Sequence, residues 1–255
     1  MRILVSNDDG IQSHGLLSLV VALSKVAEVT LVAPAQEMSA VSRHLTLNNI
    51  LIVDKFYKGG DFFGYAIHGT PADCVKLGLS ELVKHKPDYV FSGINNGANV
   101  SSQICYSGTV AAALEGAADG ITSVAVSLPT TERPSGLGYD ASAEIALKWL
   151  EVMERGELPH GIVYNINVPP IPTAQMKGFV PATANETDFK MKYEKRNSPR
   201  GGTYYWLSDV QLPKSYADGS DVSCLKKGYI PVTPLNRLGV LDENAFRVLS
   251  TTTLN

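Results

Sequence analysis

Apolar positions along this chain fall into two alternating rhythms. Arg2–Ser6 carries the unbroken aliphatic run Ile3, Leu4 and Val5, after which Leu16, Leu19, Val20, Leu23 and Ala27 recur at the spacing that lines one face of a helix. Val29–Ala33 is again short, apolar and partly β-branched, and it stops at Pro34. That is how a strand covered on both faces reads in a parallel sheet. The three segments form a βαβ unit, whose right-handed crossover brings the carboxyl ends of both strands to one edge. The alternation continues with strands at Tyr89–Ser92, Ile121–Leu128 and Ile162–Ile166, and with a helix at Asp140–Glu154. The predicted fold is α/β, a Rossmann-like, doubly wound, mostly parallel sheet.

Local chemistry sharpens some boundaries. In "GTPADCVKLGLSELV", Thr70 suits an N-cap, Pro71 the first helical position and Asp73 the positive end of the dipole. In "SGTVAAALEGAA", Ser107 or Thr109 can cap an Ala-rich helix. Residues 44–53 and 62–68 alternate around the "KGGD" turn and predict a hairpin. Residues 93–107, rich in Gly, Asn and Ser, predict a long loop, and loops of that length tend to be functional. Beyond Pro169 the pattern loosens into a charged stretch at 186–200 and an aromatic "TYYW" at 203–206, which predicts an extended hairpin or arm. Order returns where Ser220 can cap a short helix, Gly228 can end it and Tyr229–Thr233 can form a strand. The whole chain, 1–255, reads as one domain, with the α/β core in 1–168 and the extension in 169–255.

The bulk numbers mainly exclude. Twenty-two Lys and Arg against 25 Asp and Glu give a formal net charge of −3 with no basic block, so neither a nucleic-acid groove nor a membrane-surface helix is expected, and the partner should be a small molecule. No apolar run approaches the ~18 residues of a membrane span. The first aliphatic run is too short for a secretory leader. The cysteines Cys74, Cys105 and Cys224 form no Cys-x-x-Cys and read as reduced thiols, so a cytoplasmic location is expected.

Candidate chemistry collects at the predicted sheet edge. "VSNDDGIQS" sets Asp8 and Asp9 side by side directly after the first strand. Like charges that close repel, and burial would drive protonation unless a cation lies between them. Ser39 follows the second strand in "APAQEMSAVS", and Asn95 follows a later one in "SGINNG". Carboxylate, hydroxyl and amide oxygens suit a hard divalent cation, Mg²⁺, Ca²⁺ or Mn²⁺, rather than zinc. Read alone, Asn-Asp-Asp-Gly is equally good turn chemistry. Ser107, Gly108 and Thr109 open a helix where free N–H groups and the dipole attract a phosphate, with plain N-capping as the other reading, and Asn99 lies nearby. A Walker loop, the dinucleotide glycine pattern and the Gly-x-Ser-x-Gly elbow are all missing. A receiver module would need a phosphoacceptor Asp where "YVFSGINNG" has none, and the Asp-x-Asp-x-Thr of haloacid-type phosphatases does not occur. His14, beside the acidic loop, reads as a surface residue or a substrate contact.

Seven stretches, "RILVSNDDGI", "VAPAQEMSAVSRHLTL", "GTPADCVKLG", "SGINNGANV", "YSGTVAAALEG", "NINVP" and "GYIPVTPL", resemble in order the SurE family of stationary-phase survival proteins. The resemblance implies a metal-dependent phosphatase of nucleoside monophosphates, a 5′-nucleotidase that can extend to 3′-nucleotides and polyphosphate. It implies one divalent cation per subunit, Mg²⁺ or Mn²⁺, on Asp8, Asp9, Ser39 and Asn95, with Asp8 and Asp9 as catalytic residues. It also implies a homodimer or homotetramer built through a C-terminal exchange segment and a protruding hairpin in 170–228. Ala35 and Ala98 depart from the family pattern, which commonly has an acidic residue and a proline there. Neither departure removes a ligand.

Overall fold

The computed structural model describes residues 1–129, 138–184, 190–211 and 215–254. Strand β1 (Arg2–Ser6) lies near the middle of a nine-stranded sheet, flanked by β2 (Glu28–Pro34) and β5 (Tyr89–Asn96). With β3 (Val53–Lys58), β4 (Asp61–Ile67), β6 (Thr122–Leu128), β7 (Val163–Asn167), β8 (Phe179–Pro181) and β11 (Ile230–Leu235), the order is β3-β4-β2-β1-β5-β6-β7-β11-β8. The pairs from β4 to β7 are parallel; β3 on β4 and β11 on β7 are antiparallel. The α/β doubly wound arrangement is thus present.

Helices cover both faces, which is why the strands read as continuous apolar runs. Alternate residues of β1 serve the two sides: Ile3 and Val5 join Leu16, Leu19, Phe91, Val126 and Trp149 in one cluster, while Leu4 joins Val32, Ile67, Cys74, Val75 and Ala112 in another. The first cluster packs under α1 (His14–Leu23) and α4 (Asp140–Glu154), the second under α2 (Pro71–Leu77) and α3 (Gly108–Ala118). Each N-cap anticipated from the sequence forms: Thr70 and Asp73 make a reciprocal capping box, Ser107 accepts from Val110 N–H, and Ser220 caps α5 (Asp221–Lys226).

Three expectations change. Residues 44–52 are irregular rather than a strand, and the start of the stretch is drawn to the α2 N-terminus: the Thr70 hydroxyl donates to the His44 carbonyl at 2.6 Å, and Thr46 donates from its N–H and hydroxyl to Asp73 at 3.0 and 2.6 Å. Strand β5 runs on to Asn96, so the expected loop of 93–107 begins as sheet. Gly93, at φ +130°, bends the strand into a register shift, and a Cβ there would meet the Val126 carbonyl oxygen at 2.3 Å. Nor does the sheet end at 168. Strands β8 and β11 extend it, and α6 (Glu243–Leu249) returns with Ala245 and Leu249 in the first cluster. What projects is β9 (Lys190–Asn197) paired with β10 (Thr203–Gln211), a separate two-stranded ribbon; residues 186–189 of the charged stretch lie outside the described residues. No described helix is long and apolar enough to cross a membrane.

Candidate active site

The acidic pair sits where the open sheet predicts a ligand, beyond the carboxyl end of β1. Asn7 sets the turn, its side-chain amide donating to the Gly10 carbonyl at 3.1 Å and to the Ser13 hydroxyl at 2.8 Å. Asp8 is 5% exposed and lies against the start of α3, where the Thr109 hydroxyl donates to its carboxylate. Gly108 is the residue such contact demands: a Cβ there would be 2.6 Å from Asp8 Cβ and 2.9 Å from its Oδ2. The Asp8 carbonyl accepts from Met38 N–H at 2.8 Å, which draws the segment carrying Ser39 onto the same edge. Asp9 accepts from the backbone N–H of Asn96 at 3.0 Å, joining the end of β5 to the pair.

The charge is poorly compensated. Burial, aided by the neighbouring Asp9 and only partly offset by the bonds from Thr109, raises the Asp8 pKa from 3.8 to about 6. Burial raises Asp9 too, against the hydrogen bond from Asn96 and with repulsion from Glu37 added. Among the described residues no Lys, Arg or His forms an ion pair with either aspartate. No three described His, Cys, Asp or Glu side chains converge as a metal centre. A cation here would rest on two carboxylates and complete its shell with neutral oxygens and water, a donor set that suits a hard ion.

Ser39 is exposed and donates to Glu37 Oε1 at 2.7 Å. Asn95 turns its amide nitrogen to the Gly97 carbonyl at 2.9 Å, which leaves the side-chain carbonyl oxygen as the atom that could hold a cation. The other expected residues divide. Ser107 holds Val110 N–H and keeps its own hydroxyl proton to give, and Gly108 N–H lies in the first turn, without an intrahelical partner. Thr109 is fully buried and bonded to Asp8, so its side chain supports the acid rather than facing a phosphate. Asn99 is buried as well, its amide nitrogen on Ser127 Oγ at 2.8 Å. His14 lines a cleft of about 370 Å³ between α1 and α4 with Lys25, Lys58 and Asp140.

Two features escaped the sequence. Glu37 adds a third carboxylate to the edge, and its only signal is its place two residues before Ser39. The segment after Ser39 is pinned by Arg43, which donates to the buried Glu115 of α3 at 2.5 Å, with Lys76 on the other carboxylate oxygen at 3.0 Å. Ser42 bonds back to the carbonyls of Tyr106 and Cys105 at 3.0 and 2.8 Å, tying that segment to the turn before α3.

Comparison with known proteins agrees with this architecture. Residues 3–191 match the profile of the family described as Survival protein SurE. The chain belongs to the SurE family. Among its relatives are 5′-nucleotidase SurE of Nitratidesulfovibrio vulgaris strain DP4, 45% identical over 92% of this chain and 93% of that protein, and 5′-nucleotidase SurE of Synechococcus sp. strain JA-3-3Ab, 41% identical over 92% and 91%. The crystal structure of the SurE protein from Aquifex aeolicus superposes with a TM-score of 0.79 at 30% identity, over 98% of both chains.

Proposed function

We propose that this SurE-family chain is a divalent-metal-dependent phosphatase that hydrolyses nucleoside monophosphates to nucleoside and phosphate, chiefly as a 5′-nucleotidase and in part on 3′-nucleotides and polyphosphate. The observation that carries the reading is Asp8: a buried carboxylate beside a second one, without a basic partner among the described residues, packed on the N-terminus of a helix through a glycine. Asp8, Asp9, Ser39 and Asn95 would hold one Mg²⁺ or Mn²⁺ per subunit. When bound, the cation supplies Lewis-acid polarisation of the phosphoryl group and lowers the pKa of water.

The chain's own residues do the rest. Ser107 Oγ–H and Gly108 N–H donate to the phosphate at the positive end of α3, where negative charge gathering on the equatorial oxygens is stabilised. Thr109 keeps the Asp8 carboxylate turned to the edge by its hydroxyl. Asn96 N–H does the same for Asp9, and either aspartate can take the proton of the attacking water. The nucleoside would lie along the segment from Ala40 to Leu45 or toward the β9–β10 ribbon. That ribbon exposes Met191, Tyr193, Tyr205, Leu207 and Val210, an apolar surface that a second copy would cover in a dimer or tetramer.

The test is phosphate release from a panel of 5′- and 3′-nucleoside monophosphates with Mg²⁺, with Mn²⁺ and with chelator. Release that needs the metal and is lost in Asp9→Asn is expected; release that survives chelation would refute the reading.

A further inference from the structure

Strand β7 carries an anomaly. Its neighbours Val163, Tyr164, Ile166 and Val168 are apolar and buried, yet Asn165 and Asn167, both without any exposed surface, interrupt it on one face. Burying an amide is unfavourable unless its bonds are made, and Asn165 leaves its Oδ1 without a described partner. What the pair does make is a grip on a single peptide segment. Asn167 Oδ1 accepts from Asn99 N–H at 2.9 Å while its Nδ2 donates to the Asn99 carbonyl at 3.0 Å, and Asn165 Nδ2 donates to that same carbonyl at 2.8 Å. Asn99 closes the cluster by donating to Ser127 Oγ of β6.

The row in which this happens is the row of the active site. Asn95 of β5 pairs with Ser127 of β6, which pairs with Asn167 of β7. The chain leaves β5 just beyond Asn95 and folds back over the same row to be caught at Asn99. Two residues on it is caught again, Ser101 N–H donating to the buried Asp221 at 2.7 Å. It then enters the turn that ends at Ser107. The proposed cation ligand and the proposed phosphate cradle are thus the two ends of one segment, whose middle is held by Asn165 and Asn167 of β7 and by Asp221 of α5.

We propose that Asn167, assisted by Asn165, is a positioning residue for the phosphatase reaction: by locking Asn99 it sets the spacing between the Asn95 oxygen and the helix start at Ser107–Thr109. This rests on the function proposed above. A misplacement of about 1 Å between reacting groups can cost on the order of 100-fold in rate, so the effect belongs mainly in kcat and in metal affinity rather than in KM.

The experiment compares wild type, Asn167→Ala and Asn165→Ala with Leu150→Ala, which empties core space under α4 away from the site. Each is measured for kcat and KM of phosphate release, for the Mn²⁺ midpoint from thermal-shift titration, and for melting temperature. Asn167→Ala should lose about 10- to 100-fold in kcat with weaker Mn²⁺ binding and little change in KM, with Asn165→Ala showing a smaller loss of the same kind. Leu150→Ala should melt at least as early as either and keep its kcat. Unchanged kcat and Mn²⁺ midpoint in the asparagine variants would overturn the proposal, as would losses matched by Leu150→Ala at equal melting temperature. If Asn167→Ala does not fold, Asn165→Ala decides by the same criteria. Failure of the underlying function looks different: wild type itself would release no phosphate, while the Mn²⁺ midpoints would still report whether the clamp shapes the site.

Discussion

Replacing Asp8 by Asn should stabilise the metal-free protein while removing its activity. Burial lifts the Asp8 pKa from 3.8 to about 6. A carboxyl whose folded-state pKa exceeds its unfolded value binds its proton more tightly when folded, so its ionised form destabilises the fold. The effect is absent below about pH 4, grows between about pH 4 and 6, and is complete above that, where at about 1.4 kcal/mol per pH unit it amounts to roughly 3 kcal/mol. Asparagine retains an oxygen for the Thr109 hydroxyl but carries no charge. In chelator at pH 8, Asp8→Asn should therefore melt higher than wild type by about 6–12 °C, given about 2–4 °C per kcal/mol in a chain this size. The gap should close as the pH falls to 4, and Mn²⁺ should raise the melting point of wild type much more than that of the variant. The assay is thermal unfolding across pH 4–8 with chelator or Mn²⁺. A variant less stable than wild type at pH 8, or a gap independent of pH, would refute the argument that an uncompensated charge is stored at Asp8.

Other perturbations probe the neighbouring contacts. Gly108→Ala forces a methyl to within 2.6 Å of Asp8 Cβ, and should lower kcat by at least about 10-fold and stability by about 1–3 kcal/mol, read by phosphate release and denaturant unfolding. Asp73→Ala removes the capping box of α2 together with both anchors of Thr46, and should lower stability by about 1–2 kcal/mol and speed proteolysis within residues 44–52. Those hydrogen bonds outweigh burial and hold Asp73 below its ordinary pKa, so its contribution is present above about pH 4 and fades as acid titrates it. Glu115→Ala leaves Arg43 and Lys76 without their shared carboxylate and should lower stability by about 1–3 kcal/mol and weaken Mn²⁺ binding through the Ser39 segment, read by unfolding and titration. Replacing 190–211 by a short turn should lower the mass of the assembly in light scattering while leaving the monomer folded.

Most of the fold was legible because parallel strands covered on both faces are apolar runs and amphipathic helices keep their period. The helix at Asp140–Glu154 and the strand at Arg2–Ser6 have nothing competing with those patterns. Legibility failed where side chains far along the chain take over the backbone's bonds. Residues 44–52 alternate like a strand, but Thr70 and Asp73 capture His44 and Thr46 at their start, and no local pattern records that. The acidic pair announced itself because adjacent carboxylates demand an explanation wherever they fall. Thr109 and Asn99 were harder: composition marks a polar residue near a helix start, but only packing tells whether it faces a ligand, a neighbouring acid as Thr109 does, or another strand as Asn99 does. Glu115 and Asn167 sit in mostly apolar stretches of sequence, and their partners are distant along the chain, 72 residues for Glu115 with Arg43 and 68 for Asn167 with Asn99.

The proposed activity requires that Asp8 and Asp9 hold a divalent cation on which phosphate release from nucleoside monophosphates depends. Its most direct test is a Mn²⁺ titration of wild type and Asp9→Asn, with bound metal and released phosphate followed in the same samples. The two signals should saturate together in wild type, near one Mn²⁺ per chain, and both should be lost in the variant. Full binding or full turnover in Asp9→Asn would contradict it.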